Sequence, residues 1–120
     1  MQGLFVTPNG LKIWLQHRDP PILIDVRKPA AFAAAPDVIP GATWANPFAV
    51  GAWGPTLPTD RDIVVYCAQG HEIGRGVRDL LAALGYRAWY LAGGIEGWKQ
   101  AGGVTFAEAN PQQLAQMSAS

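Results

Sequence analysis

The sequence predicts an α/β fold, a parallel sheet with helices on each face, and three observations carry that prediction. Two apolar runs, Pro21-Ile22-Leu23-Ile24-Asp25-Val26 and Asp62-Ile63-Val64-Val65-Tyr66, lack alternation, as strands covered on both faces do. Stretches of helical periodicity precede and follow them. At 120 residues the chain suits one ordinary domain spanning residues 1–120, long enough to bury a core without disulfides or a structural metal.

Taken in order, Thr7 and Pro8 make an N-cap with proline at the first helical position, and Leu11, Trp14 and Leu15 follow at helical spacing. This helix leads into the first apolar strand. The stretch 39–58 carries Pro40, Pro47, Pro55 and Pro58 together with Trp44 and Trp53, and reads as an ordered loop with short pieces of strand or 3₁₀ turn. After Cys67, the residues Ile73, Val77, Leu80, Leu81 and Leu84 form one apolar stripe that ends at Gly85, a good residue just past a helix end. Arg87 to Leu91 reads as another strand. Gly93-Gly94 then opens a short helix with Ile95 and Trp98, stopping near Gly102-Gly103. The tail 110–120 lacks a persistent apolar face and is expected to fray or to form a loose helix.

Composition narrows the partners. The chain is 49% hydrophobic and 15% charged, with nine basic and nine acidic residues, so no net charge holds it to nucleic acid or an acidic membrane. The expected partner is a small molecule or another protein. A single cysteine excludes an intramolecular disulfide and a multi-cysteine zinc site, and a lone thiol suits a reducing cytosol. No metal or resident cofactor is called for. Met1 to Gly10 has no basic segment followed by an apolar stretch, and no run approaches the roughly 18 apolar residues of a membrane span. The expectation is a soluble, cytoplasmic protein.

Cys67 is the chemical focus. It follows the strand Ile63-Val64-Val65-Tyr66 and opens the segment Cys67-Ala68-Gln69-Gly70-His71-Glu72, after which Ile73 begins the apolar helix stripe. A sulfur at the mouth of a helix N-terminus meets unpaired backbone N–H groups and the positive end of the helix dipole, both of which favour thiolate over thiol. Gly70 fits a tight turn, where the backbone must take positive φ or approach a ligand closely. The bland alternative is a small buried hydrophobe, which free cysteine often is.

Four pieces in order, Asp25-Val26-Arg27-Lys28-Pro29, Ile39-Pro40-Gly41-Ala42, the strand-Cys67-loop-helix, and Gly93-Gly94-Ile95-Glu96-Gly97-Trp98, resemble a rhodanese-type sulfurtransferase of the compact single-domain kind over roughly residues 7 to 104. The resemblance implies a central parallel sheet of about five strands flanked by helices and a six-residue catalytic loop, here Cys67 to Glu72. It implies that the Cys67 thiolate takes the outer sulfur of a donor such as thiosulfate, carries it as a persulfide, and passes it to a thiophilic acceptor such as cyanide, a thiol or a partner-protein cysteine. No cofactor beyond the transient sulfur is implied.

On this reading the amides of Ala68, Gln69, Gly70, His71 and Glu72 cradle the sulfur anion, with Ile73 closing the loop. His71 and Arg75 are candidate donor-binding cations. Arg78 follows them at helical spacing, but lies about 10 Å along the helix from His71 and is expected on a solvated face. Many rhodaneses carry Arg as the last loop residue, where this chain has Glu72; a carboxylate there opposes thiolate formation unless it points outward along the first helical turn, the orientation expected here. Asp25, at the C-terminal end of a strand, is a candidate substrate contact or a cap of the turn at 27–29. Arg27 is expected to anchor structure through an ion pair, although Ala30-Ala31 stand where the family often has its Glu partner. Trp44 and Trp53 are candidates for the pocket wall.

Phosphatases of the cell-cycle type resemble rhodaneses in fold, but their loop is one residue longer and the sixth position after Cys is an Arg that grips phosphate. Here that position is Ile73, which cannot ion-pair with a phosphate dianion. The remaining rival is a rhodanese-like binding, sensing or relay module that is non-catalytic or is fed by another protein's persulfide, a reading that Glu72 favours.

Overall fold

In the computed structural model, residues 4–69 and 72–107 are described. Five strands form one wholly parallel sheet: β1 (Leu4–Val6), β2 (Ile22–Asp25), β4 (Thr43–Trp44), β5 (Ile63–Tyr66) and β6 (Ala88–Leu91), in the order β1-β6-β5-β2-β4. A further antiparallel pair joins β3 (Asp37–Val38) to β7 (Phe106–Ala107). Helices α1 (Pro8–Trp14), α2 (Pro29–Ala34), α3 (Val50–Trp53), α4 (Glu72–Ala83) and α5 (Gly94–Gln100) connect the strands.

Successive residues of a strand point to opposite faces, and the two core clusters divide accordingly. Leu23, Val64 and Tyr66 pack with Leu11 of α1, Phe32 of α2, and Ile95 and Trp98 of α5. Ile24, Ile63 and Val65 pack with Val50 of α3 and with Val77 and Leu81 of α4. The sheet is therefore covered on both sides, which is why its central strands are apolar at every position but Asp25. As the sequence indicates, Thr7 caps α1, its Oγ1 accepting from the Gly10 amide at 3.1 Å.

The proline-rich stretch resolves into β4, a 3₁₀ turn at Pro47–Ala49, α3, and a second 3₁₀ turn at Gly54–Thr56. The apolar stripe of α4 is only partly used. Val77 and Leu81 are buried, whereas Leu80 and Leu84 are 53% and 49% exposed. Arg78, expected on a solvated face, is buried instead: its Nη1 donates to the Leu4 carbonyl at 3.0 Å, and its guanidinium pairs with Asp79 and lies over the Tyr90 ring. The edge strand β1 supplies the acceptor that draws it in. The expected behaviour of the tail 110–120 falls outside the described residues.

Candidate active site

Cys67 leaves the C-terminal end of β5, the middle strand, where ligands of open parallel sheets bind. It is buried, at 7% exposure. Its sulfur rests against the first turn of α4: a Cβ built on Gly74 would lie 3.7 Å from Cys67 Sγ and 3.7 Å from the Tyr90 Cβ. A methyl group at Gly74 would thus sit in ordinary contact with the sulfur.

The loop is held from the other side by α5. The Ile95 amide donates to the Cys67 carbonyl and the Glu96 amide to the Ala68 carbonyl, each at 3.0 Å. These are orphan donors of a helix start, used here to fix two peptide planes. In a trans peptide the next N–H points opposite to the carbonyl, so the Ala68 and Gln69 amides face away from α5. Gly94, at φ +60°, makes the approach feasible: a Cβ there would fall 2.7 Å from the Ala68 carbonyl carbon and overlap the Cys67 carbonyl oxygen. The Gly93-Gly94 pair thus has a mechanical task beside the catalytic loop.

A cavity of about 280 Å³ opens over Cys67, lined by Ala68, Gln69, Glu72 and Ile73 and by Arg27, Lys28 and Ala31 at the end of β2 and the start of α2. A second, of about 350 Å³, adjoins it through Glu72 and Ile73 and continues over Gly76, Val77, Leu80, Pro47 and Phe48.

Several expectations meet this geometry. Cys67, Ala68, Gln69, Glu72 and Ile73 converge on one cavity. Gly70 and His71 lie outside the described residues. Glu72 is exposed as expected, but it does not simply point away, because it lines both cavities. Arg75 is exposed and packs over the Tyr90 ring, 5.4 Å from its centroid, without lining the cavity. Arg78 is engaged away from the loop, whereas Arg75 stays exposed near the start of α4.

Asp25 is fully buried and serves Arg27, not the cavity. Its Oδ2 accepts from Arg27 Nη2 at 2.7 Å, and its Oδ1 accepts from the Arg27 amide at 3.0 Å, which is the turn cap the sequence allowed. Arg27 finds its carboxylate two residues back and also donates to the Ala35 and Asp37 carbonyls, so the absent Glu is replaced. The Tyr66 hydroxyl accepts from the Ile39 amide at 3.2 Å, and burial together with the nearby Asp25 charge pushes its ionisation far above the usual tyrosine range. Trp44 and Trp53 donate their indole N–H groups to the Arg27 and Asn46 carbonyls and wall neither cavity; Phe48 is the aromatic that the proline-rich stretch contributes.

Sequence reasoning missed Lys28, Ala31 and Gly74. The first two belong to the quoted Asp25-to-Pro29 motif and its continuation, brought beside Cys67 because Asp25 pairs in register with Tyr66. Gly74 is set apart only by its contact with the sulfur, which apolar periodicity does not mark.

A parallel sheet whose middle strand delivers one cysteine into a loop, with a helix starting beyond it and a second helix clamping its carbonyls, defines an α/β domain built around a single cysteine loop. The rhodanese-like domain model matches residues 7–101, and the chain belongs to that family. Among solved structures, a rhodanese-related protein from Thermoplasma volcanium is similar with TM-score 0.76 at 20% identity, covering 88% of this chain and 99% of that one. A rhodanese-like domain protein from Staphylococcus aureus gives 0.74 at 23%, covering 91% and 100%. A thiosulfate sulfurtransferase from Pseudomonas aeruginosa gives 0.74 at 25%, covering 88% of this chain but 20% of that protein. No curated protein matches the sequence. No helix among the described residues is long and apolar enough to cross a membrane.

Proposed function

We propose that this protein is a cytoplasmic sulfurtransferase that carries a sulfane sulfur as a persulfide on Cys67. The observation that bears most weight is the placement of Cys67 at the head of the first cavity, with its loop carbonyls tied back to α5 and its sulfur against the first turn of α4. Family membership and the likeness to a thiosulfate sulfurtransferase support the same chemistry.

In the first half-reaction the Cys67 thiolate attacks the outer sulfur of thiosulfate. A new S–S bond forms, the donor's S–S bond breaks, and sulfite leaves with the electron pair. In the second, cyanide or a thiolate attacks the outer sulfur of the persulfide, and Cys67 recovers its electron pair as thiolate. The loop amides, with the positive end of the α4 dipole, favour the anionic sulfur present in each resting state. Splitting the transfer in this way gives ping-pong kinetics.

The experiment is intact mass of the reduced protein after thiosulfate, then after cyanide. A gain of one sulfur, removed by cyanide with release of thiocyanate, is expected; a protein that gains nothing while its thiol still reacts with an alkylating agent overturns small-donor turnover. A second reading, a relay or binding module served by a partner-protein persulfide, draws on Glu72, since a carboxylate in the cavity disfavours a dianionic donor.

A further inference from the structure

We propose that Glu72 selects the acceptor of the Cys67 sulfur, favouring thiols that carry a positive charge beside the sulfur, such as simple aminothiols. The inference rests on the sulfur-transfer reading above and adds the charge class of the substrate to it.

Glu72 stands where the two cavities meet. In the first, the other charged residues among those described are Arg27 and Lys28. The Arg27 guanidinium is already compensated by the buried Asp25 carboxylate, which leaves exposed Lys28 as the uncompensated cation among the described residues of that lining. In the second, Glu72 is the one charged residue among the described residues of the lining, beside Phe48, Ile73, Val77 and Leu80. Among the described residues no ion pair engages Glu72. An acceptor that enters over the second cavity and passes Glu72 and Ile73 into the first therefore meets, among the described residues, one carboxylate on apolar walls before it reaches Cys67. Low-dielectric walls focus such a field, so a cation is drawn in and an anion is turned away.

The transfer is balanced without a further reagent. The acceptor thiolate bonds to the outer sulfur of the Cys67 persulfide, the S–S bond to Cys67 Sγ breaks, Cys67 keeps the electron pair as thiolate, and the product is the persulfide of the aminothiol. The ammonium of the acceptor stays intact and sits toward Glu72.

The test loads Cys67 from excess thiosulfate, removes the excess, and follows discharge of the persulfide by intact mass. The acceptors are cysteamine, 2-mercaptoethanol and 3-mercaptopropionate, each rate constant being divided by that thiol's thiolate fraction. The expected order is cationic, then neutral, then anionic. In Glu72→Gln the cysteamine advantage over 2-mercaptoethanol should fall by about two- to fivefold, the range of an exposed charge pair, and Glu72→Lys should reverse the order. With the unmodified protein, raising the ionic strength should compress the same ratio, a measurement that does not depend on how either variant folds. Ratios unchanged by Glu72→Gln and by salt, with normal loading, overturn the acceptor selection alone. Failure of Cys67 to load or discharge with any acceptor overturns the sulfur-transfer reading, and this inference with it.

Discussion

Asp25 and Arg27 close on each other at the end of β2: both carboxylate oxygens accept from the guanidinium, at 2.7 to 3.0 Å, and both side chains are buried. The remaining Arg27 donors reach the Ala35 and Asp37 carbonyls, and the guanidinium lies over the Phe32 ring. One ion pair thus pins the end of β2, helix α2 and β3, and with them the Arg27-Lys28-Ala31 wall of the Cys67 cavity.

Removing one member of such a pair strands the other. Asp25→Asn keeps the shape but leaves the Arg27 charge buried without its counter-ion, and should destabilise the fold by about 3 kcal/mol or more. Urea unfolding measures it; a loss below about 1 kcal/mol, the scale of an ordinary hydrogen bond, would show that the pair is not the anchor of this wall.

Gly94→Ala should be worse for the site than for the rest of the fold. Positive φ and overlap with the Cys67 and Ala68 carbonyls force the N-terminus of α5 off the loop, so the amide bonds from Ile95 and Glu96 are strained or lost. We expect persulfide formation to fall at least tenfold, the scale of a misplaced reacting group. By contrast Gly102→Ala, also at positive φ but with open space around its Cβ, should lose stability without that selective loss. Equal persulfide rates in the two variants would dissociate α5 from the chemistry.

Cys67→Ser should preserve the fold, since a hydroxyl replaces a slightly larger thiol of the same shape, while abolishing thiocyanate formation from thiosulfate and cyanide. Circular dichroism and the colorimetric thiocyanate assay decide it together. Residual turnover in a folded variant would falsify the assignment of Cys67 as the sulfur carrier.

Asp37 predicts a contribution to acid sensitivity. Burial alone would raise its carboxyl, but hydrogen bonds from Lys99 and Thr105 and the Lys99 charge outweigh this and hold it below the usual range. A carboxylate depressed in the folded state contributes stability that is complete above its unfolded value, about 3.9, and is lost as pH falls through the lower folded value. Asp37→Asn should be less stable than the unmodified protein at pH about 6, with the gap narrowing below about pH 4. A gap constant with pH would assign the loss to packing.

Much of this architecture was legible because its signals are local. Thr7-Pro8 announces α1, the unbroken apolar strands announce a sheet covered on both faces, and Cys67, Ala68, Gln69, Glu72 and Ile73 lie close in sequence as they do around the cavity. What stayed hidden is short or distant. Strands of two or three residues such as Leu4–Val6, Asp37–Val38 and Phe106–Ala107 have no room to show a period of two. The exposure of Leu80 and Leu84 could not be foreseen either, because periodicity marks an apolar face but not how far neighbouring elements cover it. Arg78 went to the core because the acceptor on Leu4 lies 74 positions away, beyond any helical pattern. Glu72 had an outward-facing precedent in helix chemistry; only the second cavity beside it gives the residue another task.

Strand β5 has a neighbour on each side, β2 and β6, while β1 and β4 form the sheet's edges. Amides in such a central strand usually exchange their hydrogens only when the whole domain opens, whereas edge strands open locally. Cys67 continues directly from that strand, so its sulfur is mounted on a segment held by strands on both sides. Its rate of labelling by a small alkylating agent should therefore remain nearly constant as urea rises toward the unfolding transition, reporting entry through the cavity mouth until the whole domain gives way.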